Sequence, residues 1–175
     1  MPDSLRLIPL MALLFMGVWF GCSPSGEPDE VCTNSLEIDW LANGPWSVGW
    51  KDHQATSMLG ERTLTRSFVV YYPALAPGED ASPSGGPYPV VFFEHAGGSH
   101  YLNYTTLFNH LVSHGLVVVS IDHNELDGST GWGSGDFWTG HEVLFLDTIE
   151  EVMDWSETTN NIYAGLLDPA RIGMA

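Results

Sequence analysis

The chain has 175 residues, 44% hydrophobic and 12% aromatic, enough apolar surface for one folded domain plus a leader, and this excludes a wholly disordered chain. Twenty-two acids against five bases give a formal charge of −17. Such a surface is strongly hydrated and repels polyanions, which excludes nucleic acid and bare anionic membrane as natural partners.

In chain order, the first element is a targeting signal. Arg6 precedes an apolar run of 14 residues, Leu7 to Phe20. A membrane span needs about 20, so the run suits the core of a signal peptide. It ends at Gly21-Cys22 and turns abruptly polar in SPSGEPDE. A small residue before a Cys at that point resembles a bacterial lipoprotein signal, in which the Cys becomes the lipidated first residue of the mature chain. Trp19-Phe20 departs from that signal, which usually carries an aliphatic and then a small residue there. Residues 1–21 are therefore expected to be a signal peptide and Cys22 the lipidation point. The mature chain is then exported to the cell envelope, with its membrane contact through the anchor; secretion with cleavage nearby is the alternative. Cys22 and Cys32 are the two cysteines, without CxxC or metal-finger spacing. Lipidation of Cys22 leaves Cys32 without a partner in this chain.

Residues 22–44, rich in Ser, Pro, Gly, Asp and Glu, read as a flexible tether. The folded part is expected over 45–175. In it, RSFVVYYPA (Arg66 to Ala74) is β-branched and aromatic and reads as a strand ending at Pro73. Ala76 to Pro87 reads as a long loop. PVVFFEH (Pro89 to His95) and LVVVSID (Leu116 to Asp122) are near-continuous apolar runs, as in parallel strands covered on both faces. Between them Leu102, Leu107, Phe108, Leu111 and Val112 recur at helical spacing, with Gly115 as the stop. A second amphipathic helix places Phe145, Ile149, Val152 and Met153 on one face, with Glu142, Asp147, Glu150, Glu151 and Asp154 mostly off it. After an Asp168-Pro169 turn, Arg171 to Ala175 reads as the opening of another buried strand. Strands alternating with helices in this way predict an α/β fold with right-handed crossovers.

The chemistry is expected where the strand PVVFFEH runs into His95-Ala96-Gly97-Gly98. The two glycines permit a sharp turn and leave amide N–H groups unobstructed at the carboxyl end of a sheet. That is the geometry of an oxyanion hole, where one donor stabilises a transition state by about 2.7–4 kcal/mol. An ordinary Gly-rich strand-to-helix turn has the same pattern, and the residues alone leave both readings open.

The stretch YPVVFFEHAGGSHYLNYTTLFNHLVSHGLVVVSIDHNE, Tyr88 to Glu125, resembles the α/β-hydrolase superfamily. The branch it resembles holds chlorophyllases, platelet-activating-factor acetylhydrolase-like enzymes and dienelactone-hydrolase-like proteins. Upstream, GPWSVGW and LTRSFVVYYPA are similar to that branch's first two strands. Downstream, FLDTIEEVMDW and LLDPARIGMA resemble the helix and strand that lead into the nucleophile elbow. The likeness covers about Pro45 to Ala175, with Ala96 standing where the family usually has Gly. It implies a parallel-sheet α/β-hydrolase fold, represented by its amino-terminal half. It gives the oxyanion N–H to Gly97, within the turn His95, Ala96 and Gly98. It implies a small-molecule or lipid-like ester substrate, no cofactor and no metal. The nucleophile of that family is a Ser in Gly-x-Ser-x-Gly directly after the fifth strand, with acid and His later still. No such motif occurs in the 175 residues: Ser99 has Tyr101 where the second Gly belongs, Ser47 has Pro45 before it, and Ser134 has Trp132.

Other residues carry two readings each. Asp122 and His123 end a strand on the rim of the expected site; the chain order is wrong for a catalytic acid and base, so a structural or substrate-edge role is expected. The loop Gly128 to Gly140 carries Trp132, Phe137 and Trp138, which either wall an apolar pocket or cover the helix beneath. His95, His100 and His123 with Glu94 and Asp122 are the residue types of a metal-dependent hydrolase, yet no H-x-H or H-E-x-x-H pairing occurs. The leading reading is thus a fragment of an exported serine hydrolase for carboxylic esters, inactive alone. The alternative is a non-catalytic surface lipoprotein whose half-domain binds a partner chain.

Overall fold

The computed structural model describes residues 41–97, 99–123, 126 and 135–175. The leader, Cys22, Cys32, most of the tether, Gly98 and Trp132 lie outside the described residues. Strands β1 (Ser47–Leu59) and β2 (Arg62–Ala74) form an antiparallel hairpin turned by Gly60 and Glu61. A two-residue strand β3 (Gly78–Glu79) and β4 (Tyr88–Glu94) follow. A 3₁₀ turn (Tyr101–Tyr104) leads into α1 (Thr105–Ser113), then β5 (Val117–Asp122), α2 (Gly135–Glu157) and β6 (Leu167–Met174). The described strands form one sheet in the order β3-β1-β2-β5-β4-β6. β4 is parallel to both β5 and β6, while β2 is antiparallel to β1 and β5. The parallel arrangement expected from the sequence therefore holds on one side of a mixed sheet.

The period-2 pattern of the strands sorts the core into two layers. Phe68, Val70 and Tyr72 of β2 share a face with Val90 and Phe92 of β4 and Val117, Val119 and Ile121 of β5. Phe145, Ile149, Val152 and Met153 of α2 pack on that face, as their spacing predicts. Val69, Tyr71 and Val118 point the other way, where Phe108 and Val112 of α1 cover them. With helices on both faces, β4 and β5 hold apolar side chains on both, which explains their unbroken hydrophobic runs. Gly115 closes α1 with φ +88°, a left-handed conformation that suits Gly at a helix end.

Several expectations change. Leu102 and Leu107 are half exposed rather than core. α1 begins at Thr105, and Leu107 lies about 100° around the helix from Phe108, away from the sheet. β2 begins at Arg62, not Arg66, and continues through Pro73; its pairing with β5 ends at Tyr71, so Pro73 interrupts no ladder on that side. The loop after it adds β3 to the sheet edge, and the Tyr72 hydroxyl donates to the Ala81 carbonyl at 2.8 Å. β6 begins at Leu167, and the expected turn is a register shift within it. There Asp168 accepts from the Ala170 amide at 2.9 Å and from Arg171 Nε at 2.6 Å.

His53 of β1 sits against Trp155, with ring centroids 4.5 Å apart, and is partly buried against Phe68 and Tyr163. Burial, then the charge of Lys51, hold its pKa down at about 4, against a smaller opposite pull from Asp80. Neutral imidazole accepts from the Tyr163 hydroxyl through Nε2 at 2.7 Å. Unfolded, the same His titrates near 6.5. Below that pH the unfolded chain binds a proton the folded chain refuses, so stability falls from about pH 6.5 towards about 4 and levels off beneath. His53→Phe should flatten that decline in urea-unfolding midpoints; parallel pH profiles for the two proteins would refute the assignment.

Candidate active site

The two crossovers fix where a site can form. β4–α1–β5 steps one way across the sheet, and β5–α2–β6 steps back past β4. Their helices lie on opposite faces, so both crossovers have the same hand. Adjacent strands β4 and β5 are thus followed in the chain by helices on opposite faces, the arrangement that sets a crevice beyond the carboxyl ends of two strands. Open α/β sheets bind ligands in such a crevice.

The residues delivered there are Glu94 and His95 from β4, Asp122 and His123 from β5, and His141 from α2. Glu94 Oε1 lies 2.6 Å from His141 Nδ1 and 3.7 Å from His123 Nδ1. The two Nδ1 atoms are 3.5 Å apart. His123 Nε2 is 3.2 Å from His95 Nδ1, and His95 Nε2 is 3.7 Å from Asp122 Oδ1. The three rings stand edge to face, with centroids 3.8 Å apart for His95–His123 and 4.2 Å for His123–His141. His95 and His123 are buried, His141 nearly so, and Glu94 is about one-third exposed. Carboxylate, imidazole, imidazole, imidazole and carboxylate thus form a continuous polar row from solvent into the crevice. Such a row can hold or relay a proton, or gather around a cation.

Gly97 stands exposed in the turn directly beyond β4, closed by a Ser99 amide to Ala96 carbonyl bond of 2.9 Å. His95 Nδ1 lies 3.1 Å from the Ala96 carbonyl, to which it donates only as the Nδ1–H tautomer. The structure brings His95 and His123, both singled out in the sequence, into one contact. His100 stays apart: its Nδ1 accepts from the Leu102 amide at 3.2 Å and caps the 3₁₀ turn. The supposed loop through Gly140 is already helix from Gly135. Phe137 is buried with Leu64, Leu126 and Leu144, and its ring lies 4.3 Å from His141. Trp138 on the next position is 64% exposed. Sequence reasoning passed over His141. Its signal was present, because His141 extends the i, i+4 row of Phe145, Ile149 and Met153 towards the carboxyl edge of the sheet. A cleft of about 460 Å³ adjoins the same edge, lined by Asp52, His53, Gln54, Ser67, Phe68 and Tyr101. Ser67 is paired with Asp122, which places this cleft beside the end of β5.

No protein-family model matches the chain, and no curated protein is similar to it in sequence. Solved structures do match. A ferulic acid esterase from Streptomyces cinnamoneus aligns over 73% of this chain and 51% of its own, at 15% identity and a TM-score of 0.51. An S-formylglutathione hydrolase from Staphylococcus aureus aligns over 76% of this chain and 50% of its own, at 14% identity and a TM-score of 0.42. The chain spans about half the length of either structure. With its mixed sheet, flanking helices and crevice, it carries an α/β-hydrolase-like fold over that half.

Proposed function

We propose that the chain is the amino-terminal part of an exported, lipid-anchored hydrolase that cleaves carboxylic esters by serine acyl transfer. The crevice between β4 and β5 carries this reading, because the Gly97 turn stands at its mouth on the first of two adjacent parallel strands. In the reaction a Ser Oγ bonds to the ester carbonyl carbon while its proton passes to a His. The Gly97 amide donates to the oxyanion, and the alcohol leaves with the proton from that His. Water then releases the acid by the same steps. The Ser, its His and their acid belong to the part of the fold that follows β6. Export rests on the apolar run ending at Gly21-Cys22, with Cys22 as the lipid attachment.

The test is to read the gene past the Ala175 codon and to assay both products on a p-nitrophenyl ester. An in-frame Gly-x-Ser-x-Gly, with turnover by the longer protein and none by the 175-residue chain, is the expected result. Turnover by the 175-residue chain alone, or a stop codon with no elbow, would overturn it. The second outcome leaves the non-catalytic partner-binding lipoprotein as the better account.

A further inference from the structure

We propose that Glu94, His123 and His141 form a zinc site with an open coordination position at the β4–β5 crevice. Among the described residues, their ligand atoms all lie within 4.8 Å of one another. Zinc bonds of about 2.0–2.1 Å at tetrahedral angles set neighbouring ligand atoms about 3.3 Å apart. The Nδ1 atoms of His123 and His141 are 3.5 Å apart, and Glu94 Oε1 is 3.7 Å from His123 Nδ1, close to that spacing. Only the Glu94–His141 separation of 2.6 Å has to open, and Glu94, at the end of its strand and one-third exposed, has the freedom to move. Two imidazoles and one carboxylate are the ligand set of a zinc centre that keeps its fourth position for water.

Two further observations favour an ion over a hydrogen-bonded cluster. First, the three donors come from separate rigid elements (a strand end, the residue after the neighbouring strand, and a helix), so their convergence is fixed by the fold. Second, the outer partner of His123 fits. A ligating His usually donates its other ring N–H to an acceptor. With Nδ1 on the metal, His123 carries its proton on Nε2 and donates to His95 Nδ1 at 3.2 Å. His95 is then the Nε2–H tautomer, facing Asp122 Oδ1 at 3.7 Å, in place of an Nδ1–H that would donate to the Ala96 carbonyl. His95 and Asp122 are thus positioning residues for His123.

The inference stands on the three donor atoms, independent of the ester reading, and either can fail alone. The test uses tag-free chain stripped with EDTA and titrated with zinc chloride by calorimetry. His110→Ala is present in every protein, because His110 and His114, with ring centroids 4.8 Å apart on α1, offer a surface pair. One zinc per chain is expected, and cobalt should give the visible bands of a four-coordinate ion. His141→Ala should weaken zinc binding at least about 100-fold, and His95→Ala by the 10–100-fold typical of an outer partner. Glu94→Gln, nearly isosteric, gives the same reading if His141→Ala fails to fold. No stoichiometric zinc in the parent chain, or unchanged affinity in folded His141→Ala or Glu94→Gln, overturns the site.

Discussion

Phe92→Ala is expected to lower the stability of the folded chain by about 3–5 kcal/mol. Phe92 lies at the centre of the three parallel strands, fully buried, opposite Val119 of β5 and Met174 of β6. Its ring meets Phe145 of α2 edge to face at 6.4 Å. Rigid strands flank it on both sides and a helix covers it, so little can collapse into the space left behind. Truncation therefore adds the cost of a cavity to the lost transfer energy. Phe93, one residue on, faces α1 and meets Tyr104 and Phe108 at 4.7 and 5.0 Å, but is only partly buried. Phe93→Ala should cost less, about 1–3 kcal/mol. Urea-unfolding midpoints at constant m-value would rank the two. Equal or inverted costs would mean that the faces of β4 are assigned the wrong way round, as a one-residue register slip would do.

The parts of the fold legible in the sequence are those whose burial leaves a one-dimensional trace. β4 and β5 are covered on both faces and read as apolar runs. α2 shows its Phe145–Ile149–Met153 row because one side packs and the other is acidic. β1 left no such trace. Its stretch KDHQATSM alternates half-buried with exposed positions and carries polar residues even inside, such as buried Ser57 and partly buried His53. The start of α2 was hidden by glycine, which reads as loop. Gly140 is helical nonetheless, and a Cβ there would come within 2.6 Å of a Leu126 methyl. A close approach of Leu126, not a turn, accounts for that residue.

The site divides in the same way. The Gly97 turn is a local motif, a glycine pair shortly after a strand, so its place was legible in the sequence, whereas its role was given only by the resemblance. The carboxylate–imidazole row is not local: Glu94 and His141 are 47 positions apart, and His123 and His141 are 18 apart. They meet because β4 and β5 are parallel neighbours, and because α2 returns across the sheet with His141 near its start. No H-x-H or H-E-x-x-H pairing can announce ligands gathered by topology. Asp122-His123 stands at the end of β5, but its partners belong to β4 and α2, which only the strand order reveals.

Glu151→Ala should cost about 2–3 kcal/mol, less than the 3–5 typical when a fully buried pair loses one partner, because Glu151 is 30% exposed. In the sequence Glu151 reads as one more acid off the apolar face of α2, yet it is the main counter-charge of Arg66. Arg66, 4% exposed, donates through its guanidinium to Glu151 Oε2 at 2.6 Å and to Thr148 Oγ1 at 3.2 Å. Thr148 in turn donates to the Leu144 carbonyl at 2.6 Å, so the cation is held by a bonded set on one turn of α2. Removing Glu151 leaves that cation in a site with little water. Asp147, Glu150 and Asp154 line the same cleft and offset part of the loss from a distance. Replacing both partners, Arg66→Met with Glu151→Ala, removes the stranded charge and fills the volume with an apolar chain, so the double variant should be more stable than the sum of the single losses implies, by at least about 1 kcal/mol. Because the contact is largely out of solvent, the coupling should persist at 1 M salt, where the Debye length falls to about 3 Å and exposed pairs are screened. Additive single losses, or a coupling abolished by salt, would show instead that Arg66 is solvated and that α2 is held to the sheet by its apolar row alone.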